Sequence, residues 1–167
     1  AVSDEHPLVV LLAAFLVARL TADSPPARLC VGLSGGRDSV VLLHALRRVQ
    51  CRAAFRFELS ALHVHHGLSA NADAWAAFCG ELCARYALPL SIVRVSVPPG
   101  SGEGLEGAAR RARHAAFADC DADFLALAHH RDDQAETLLL NLLRGAGIAG
   151  AAGMPAERKQ RRGPALL

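Results

Sequence analysis

Several large function classes are excluded by what the chain lacks. The longest unbroken apolar run, Leu8 to Ala18, falls well short of the roughly 20 residues a membrane-spanning helix needs. Acidic residues precede that run, and neither a basic segment nor a small-residue cleavage site frames it, so no secretory leader is expected. The five cysteines, Cys30, Cys51, Cys79, Cys83 and Cys120, form no Cys-x-x-Cys pair, and an odd number cannot complete a disulfide framework. They read as free thiols of a reducing compartment, which places the protein in the cytoplasm. Cys79 and Cys83 stand four apart on one helix and read as small packing residues. Lysine occurs once, at Lys159, and the formal net charge is only +2. Overall charge therefore makes no case for a nucleic-acid partner; local clusters must make it. The commonest nucleoside triphosphate loop, G-x-x-x-x-G-K-[ST], is absent. So are the His-x-Glu and Pro-Cys-x-x-Cys elements of a zinc deaminase.

What the chain has is a globular composition in 167 residues, 52% hydrophobic and 20% charged, enough for one domain with a sizeable core. Its organising stretch runs from Arg28 to Ser39. A buried apolar strand, Leu29 to Leu33, breaks into Ser34, Gly35 and Gly36 and reopens at Arg37 as a helix to about Val49. Glycine lets a backbone approach an anion closely, and the free N–H groups and positive end of the following helix point to the same place. The stretch reads as a phosphate cradle. A capped turn is the plain alternative, since Ser and Asp favour both.

The rest of the chain alternates strand and helix. Pro7 to Leu20 is helical, with Ser3 or Asp4 as cap, and is expected to lie on a sheet. In the helix after the glycines, Val40, Val41, Leu43, Leu46 and Val49 are expected inward. A strand over about Phe55 to Val64 ends in His63, His65 and His66, followed by a helix over Ala72 to Tyr86. Leu90 to Val97 is a third strand, and Pro98 to Gly102 a break expected to overlie a crevice. Glu103 to Asp119 is a helix that brings Glu106, Arg110 and Arg113 together, with Ala109, Ala112 and Phe117 inward. Asp123 to Ala128 is a fourth strand. It opens into a second polar block, His129 to Thr137, and an amphipathic helix from Leu138 to Arg144 stopped by Gly145. Asp132 and Asp133 suit a helix start, yet Asp133, Glu136 and the two histidines exceed what a cap requires and suit Mg²⁺ or an amine. The basic tail around Arg158 to Arg162 reads as a solvated loop or a polyanion contact.

SGGRDS resembles the SGGxDS signature of the PP-loop ATP pyrophosphatases, and three later blocks sharpen the resemblance. HVHHGLS, GEGLEGAARRARHAAFA and LALAHHRDDQAETLLLNLLRGAGIAG follow it in the order and spacing of the N-terminal domain of the tRNA(Ile)-lysidine synthases. The match runs from about Arg28 to Pro155, with Arg162 to Leu167 as the start of a further strand. It implies a doubly wound open parallel α/β sheet of the adenine nucleotide alpha hydrolase type, strand order 3-2-1-4-5, with helices on both faces. Residues 1–167 would form one catalytic domain, the family's C-terminal tRNA-binding domains lying outside it.

The resemblance implies a ligase that uses ATP and Mg²⁺ to join L-lysine to the wobble cytidine of the CAU anticodon of tRNA(Ile). Cytosine O2 attacks the α-phosphorus, pyrophosphate leaves, and the lysine amine displaces AMP at C2. No membrane partner is expected, and a homodimer is left open. Ser34, Gly35, Gly36, Arg37, Asp38, Ser39 and His63 would bind the nucleotide, and Asp38 and Asp133 the metal. An amine with an unperturbed pKa of about 10.4 needs a carboxylate to hold and deprotonate it. Asp132, Asp133 and Glu136 are unranked candidates, with Asp38 as the fourth catalytic carboxylate. Glu106, Arg110, Arg113, His129, His130 and Arg144 would face lysine or tRNA, the two helix arginines reaching phosphates or a flipped-out base. Arg37 stands where the family commonly has lysine, retaining charge but not geometry. A tRNA 2-thiolation enzyme of the same fold would need paired cysteines or an iron–sulfur cluster. A non-catalytic nucleotide-binding module would have no need of both polar blocks.

Overall fold

The apolar run before the glycines becomes β1 (Ala27–Gly32), and its alternation decides the architecture. Leu29, Val31 and Leu33 face one side of the sheet while Cys30 faces the other, and all four are buried. A strand covered on both faces belongs in the middle of a parallel sheet. In the computed structural model β1 is indeed central, paired with β2 (Phe57–His65) on one side and β4 (Phe124–Ala126) on the other. β3 (Leu90–Arg94) and β5 (Ala165–Leu166) form the edges, every pairing is parallel, and the order is β3-β2-β1-β4-β5. The structure describes residues 5–20, 25–52, 56–96, 104–145, 155, 157–159 and 163–167.

Helices cover both faces. α1 (Pro7–Val17), α2 (Arg37–Gln50) and α3 (Ala72–Arg85) enclose the larger core, in which Val9, Leu16, Leu43, Leu46, Val49, Cys79 and Leu82 meet Leu29, Val31, Leu59 and Ala61. α4 (Gly104–Ala118) closes the other face, where Phe117 packs with Cys30, Leu62, Leu125 and Leu166. The change of face between α3 and α4 falls where the strand order reverses, between β1 and β4. In open α/β sheets that reversal opens a crevice at the carboxyl ends of the strands.

Some expectations shift. The cap of α1 is His6, whose ring nitrogen accepts from the Leu8 N–H at 3.3 Å; Ser3 and Asp4 lie outside the described residues. α1 rests chiefly on α2 rather than on the sheet. Val41 is exposed, because helical spacing sends it away from the stripe of Leu43, Leu46 and Val49. The inward stripe of α4 is Ala108, Ala116 and Phe117, with Ala109 and Ala112 at its margin. The break at Pro98 to Gly102 lies outside the described residues. α5 (Arg131–Leu143) begins seven residues earlier than Leu138, so the polar block is its first two turns, and none of its residues is buried. No helix among the described residues is long and apolar enough to cross a membrane.

Candidate active site

The glycines adopt the geometry a phosphate loop needs. Gly35 has φ +87°, a region only glycine enters without strain. Gly36 caps α2 in an extended conformation without any side-chain cap, leaving the first N–H groups of that helix open to an external anion. Two serines brace the turn. Ser34 Oγ accepts from the Gly36 N–H at 3.2 Å and lies 3.1 Å from Ser39 Oγ, which donates to the Gly36 carbonyl at 2.9 Å.

This loop forms one wall of a cleft of about 680 Å³ at the carboxyl ends of β1, β2 and β4. Ser34, Gly36, Asp38, Ser39 and His63 line it from one side; Arg110, Arg113, His129, His130 and Asp133 line it from the other. The two polar blocks, residues 34–39 and 129–137, therefore meet through the adjacency of β1 and β4. His130 joins them. Its Nδ1 accepts from the Asp132 and Asp133 N–H groups at 3.2 and 3.4 Å, while Asp133 Oδ2 accepts from the His130 N–H at 2.8 Å, a reciprocal capping box. An Nδ1 that accepts leaves the proton on Nε2, and Nε2 faces Asp38 Oδ2 at 3.8 Å. The cap thus sets the tautomer that turns a donor toward the carboxylate of the phosphate loop.

His63 is held differently. Its Nδ1–H donates to the Leu33 carbonyl at 2.8 Å, the same oxygen that accepts from the Cys79 thiol at 3.8 Å. Its Nε2 is left as an acceptor on the cleft wall. His65 is spoken for as well, 3.0 Å from Asp73, which also pairs with Arg94 at 3.2 Å. Those two neighbours hold the Asp73 carboxyl below its usual range, Arg94 first and His65 second.

The β4 side of the cleft is cationic. Desolvation, then Arg110, lowers the pKa of Arg113. Desolvation also lowers His114, with Arg113, Arg110 and Arg158 adding repulsion. His129 is lowered chiefly by desolvation, with Asp133 opposing. Both imidazoles are therefore neutral near pH 7, and the positive charge belongs to the arginines.

Other expected site residues fall elsewhere. Arg37 is exposed and sits 3.7 Å from Asp38 without lining the cleft. Asp132 and Glu136 are exposed on α5 outside the lining, and Arg144 caps the far end of that helix. The helical backbone at Glu106 is part of α4, but its side chain lies outside what the structure describes. Trp75, His114, Gln134 and Arg158 also line the cleft; His114 and Gln134 lie inside the recognised blocks without being singled out there, and Trp75 lies in none of them. Arg158 reaches it because an antiparallel bridge to Leu166 holds its backbone beside β5, a pairing that composition does not reveal.

Asp38 and Asp133 fit a magnesium ion that arrives with a polyphosphate. Mg²⁺ commonly takes one or two carboxylates and fills its octahedron with phosphate oxygens and water. No cluster of three or more His, Cys, Asp or Glu residues able to cage a metal occurs among the described residues.

Comparison with known proteins agrees with this geometry. The family model for the PP-loop domain matches residues 13–166. The tRNA(Ile)-lysidine synthase of Azoarcus sp. strain BH72 is 54% identical over 140 residues, which cover 84% of this chain and 31% of that protein. That of Ralstonia nicotianae is 46% identical over 157 residues, covering 92% and 33%. The chain spans about a third of the length of the curated relatives it matches. Among solved structures, the U34-tRNA thiolase NcsA from Methanococcus maripaludis with its [4Fe-4S] cluster superposes with a TM-score of 0.61 at 20% identity, covering 83% of this chain and 51% of that one; this likeness concerns the fold alone. A glycine loop on the central strand, a second polar block on its neighbour and a family match over nearly the whole chain lead to one conclusion: the chain belongs to the PP-loop domain family.

Proposed function

We propose that this domain adenylates the wobble cytidine of tRNA(Ile) with ATP and transfers L-lysine to C2 of that base. The observation that carries the proposal is the meeting of the phosphate loop with His130 and Asp133 across β1 and β4. The relatives named tRNA(Ile)-lysidine synthase support the choice of substrate. In this reading the open N–H groups at the start of α2 hold the triphosphate, and Ser34 and Ser39 keep the loop in register. Asp38 and Asp133 would hold Mg²⁺, which neutralises charge on the leaving pyrophosphate when bound. Arg110 and Arg113 take RNA phosphate or the base itself. After pyrophosphate has left, the Asp133 oxygen not engaged by the His130 N–H is free to orient the lysine amine and draw its proton. Of the three carboxylates offered for that task, Asp133 is the one on the cleft wall, so Asp132 and Glu136 rank below it.

The placement of the cysteines disfavours sulfur transfer. All five lie within the described residues, and none lines the cleft, so no thiol stands ready to pass sulfur to an activated base. Pyrophosphate release in the presence of ATP, Mg²⁺, lysine and a CAU-anticodon tRNA(Ile) tests the proposal. Asp38→Ala should lower it at least about 100-fold, the loss typical for removing a transition-state charge stabiliser, with circular dichroism unchanged. Unaltered turnover in that variant would overturn the assignment.

A further inference from the structure

We infer that Trp75 is the stacking wall of a nucleobase subsite in the cleft. α3 turns one stripe toward the core, and Ala72, Ala76, Cys79, Leu82 and Cys83 on it are all buried. Trp75 stands three residues after Ala72 and four before Cys79, so helical geometry puts it on that same stripe. Yet it is 44% exposed. Its turn of the helix overhangs the cleft, not the core, and the ring is left uncovered where the neighbouring positions are sealed.

Trp75 also abuts the phosphate loop. A Cβ placed on Gly35 would lie 3.6 Å from the Trp75 Cβ and 3.8 Å from its carbonyl oxygen. Among the described residues the indole N–H has no hydrogen-bond acceptor. A loop that holds backbone or polyphosphate charge, next to an aromatic face that takes the attached ring, is the pairing by which proteins bind nucleotides and single-stranded RNA. The ligand class is therefore a purine or pyrimidine base tethered to phosphate. It comes from the nucleotide or from the RNA, and the inference rests on the nucleotide reading of the cleft given above.

Because Trp75 is the only tryptophan in the chain, its fluorescence reports the site directly. The intact chain would be titrated with ATP–Mg²⁺ and, separately, with tRNA(Ile) transcript, following emission and measuring affinity independently by calorimetry. At least one titrant should change the emission saturably, with a midpoint matching its calorimetric affinity. Trp75→Ala and Trp75→Leu should both weaken that ligand by about 5- to 100-fold, the range found for loss of a base-stacking ring, and Trp75→Phe by far less. The leucine variant keeps apolar bulk on α3, and its melting temperature checks that the helix still docks. A response to ATP alone identifies the base as adenine; a response to the transcript alone assigns it to the RNA. If ligands bind but emission is unmoved, or the alanine and leucine variants bind both ligands within twofold of the parent, the subsite is refuted and the nucleotide reading stands. If neither ligand binds the parent chain, both are refuted.

Discussion

His130 shows how much one side chain can determine. Its Nδ1 completes the cap of α5, and the resulting tautomer directs Nε2–H toward Asp38. The two roles are separable. Asparagine is a good cap but too short to reach across to α2, so His130→Asn should keep stability while losing turnover. His130→Ala should lose turnover and about 1 kcal/mol of stability as well, read from denaturant midpoints. A second residue-scale effect concerns pH. His114 and His129 have folded pKa values below the ordinary imidazole value of 6.5. As pH falls below about 6.5, the unfolded chain takes up these protons before the folded one does. Stability that is fully present above that value is then lost progressively as pH falls through the lowered pKa values. Thermal melts between pH 7.5 and 5.5 should show a falling Tm, and a His114→Asn variant should show a flatter profile.

At the scale of elements, two glycines hold the site for different reasons. In Gly35→Ala the new Cβ meets Cys79 Sγ at 3.5 Å, an ordinary contact, so the cost is backbone strain at φ +87°, about 1–2 kcal/mol. Gly163 also has positive φ, but a Cβ there would overlap the Ala118 carbonyl at the end of α4. Gly163→Ala should therefore cost more than the Gly35 change and displace β5. The Leu127 N–H, which donates to the Leu167 carbonyl at 2.9 Å, should then lose its protection in hydrogen exchange. These elements were legible to different degrees. β1, α2, α3 and β2 follow from apolar runs and breakers near them, because local periodicity is enough when a strand is buried on both faces. The start of α5 is not legible from periodicity, since its first turns are polar and the capping box that begins it uses histidine in place of the usual serine or threonine.

The whole molecule leaves one large face uncovered among the described residues. Leu139, Leu140, Leu142 and Leu143 on α5 are half or more exposed, Leu143 by 84%. Exposed apolar groups of this extent promote association. The chain should therefore self-associate with rising concentration and bind a hydrophobic dye. Leu139→Glu combined with Leu143→Glu should reduce both while changing stability by less than about 0.5 kcal/mol, as surface changes do. Sedimentation and dye titration would check this.

The sequence by itself determined the phosphate loop, the alternation of strands and helices, and the two polar blocks. Each is a matter of local chemistry: glycine φ freedom, the period of apolar residues, charge near a helix start. Membership of the PP-loop family was legible there too, because the blocks stand in a particular order along the chain. Only the tertiary structure decided which of their residues meet. Asp38, His130 and Asp133 converge because β1 and β4 are neighbours, while Arg37, Asp132, Glu136 and Arg144 stand on the same helices but turn away. Trp75 and Arg158 reach the cleft through a helix overhang and an antiparallel bridge. Proximity of that kind depends on strand order and helix rotation, long-range quantities that no window of sequence contains.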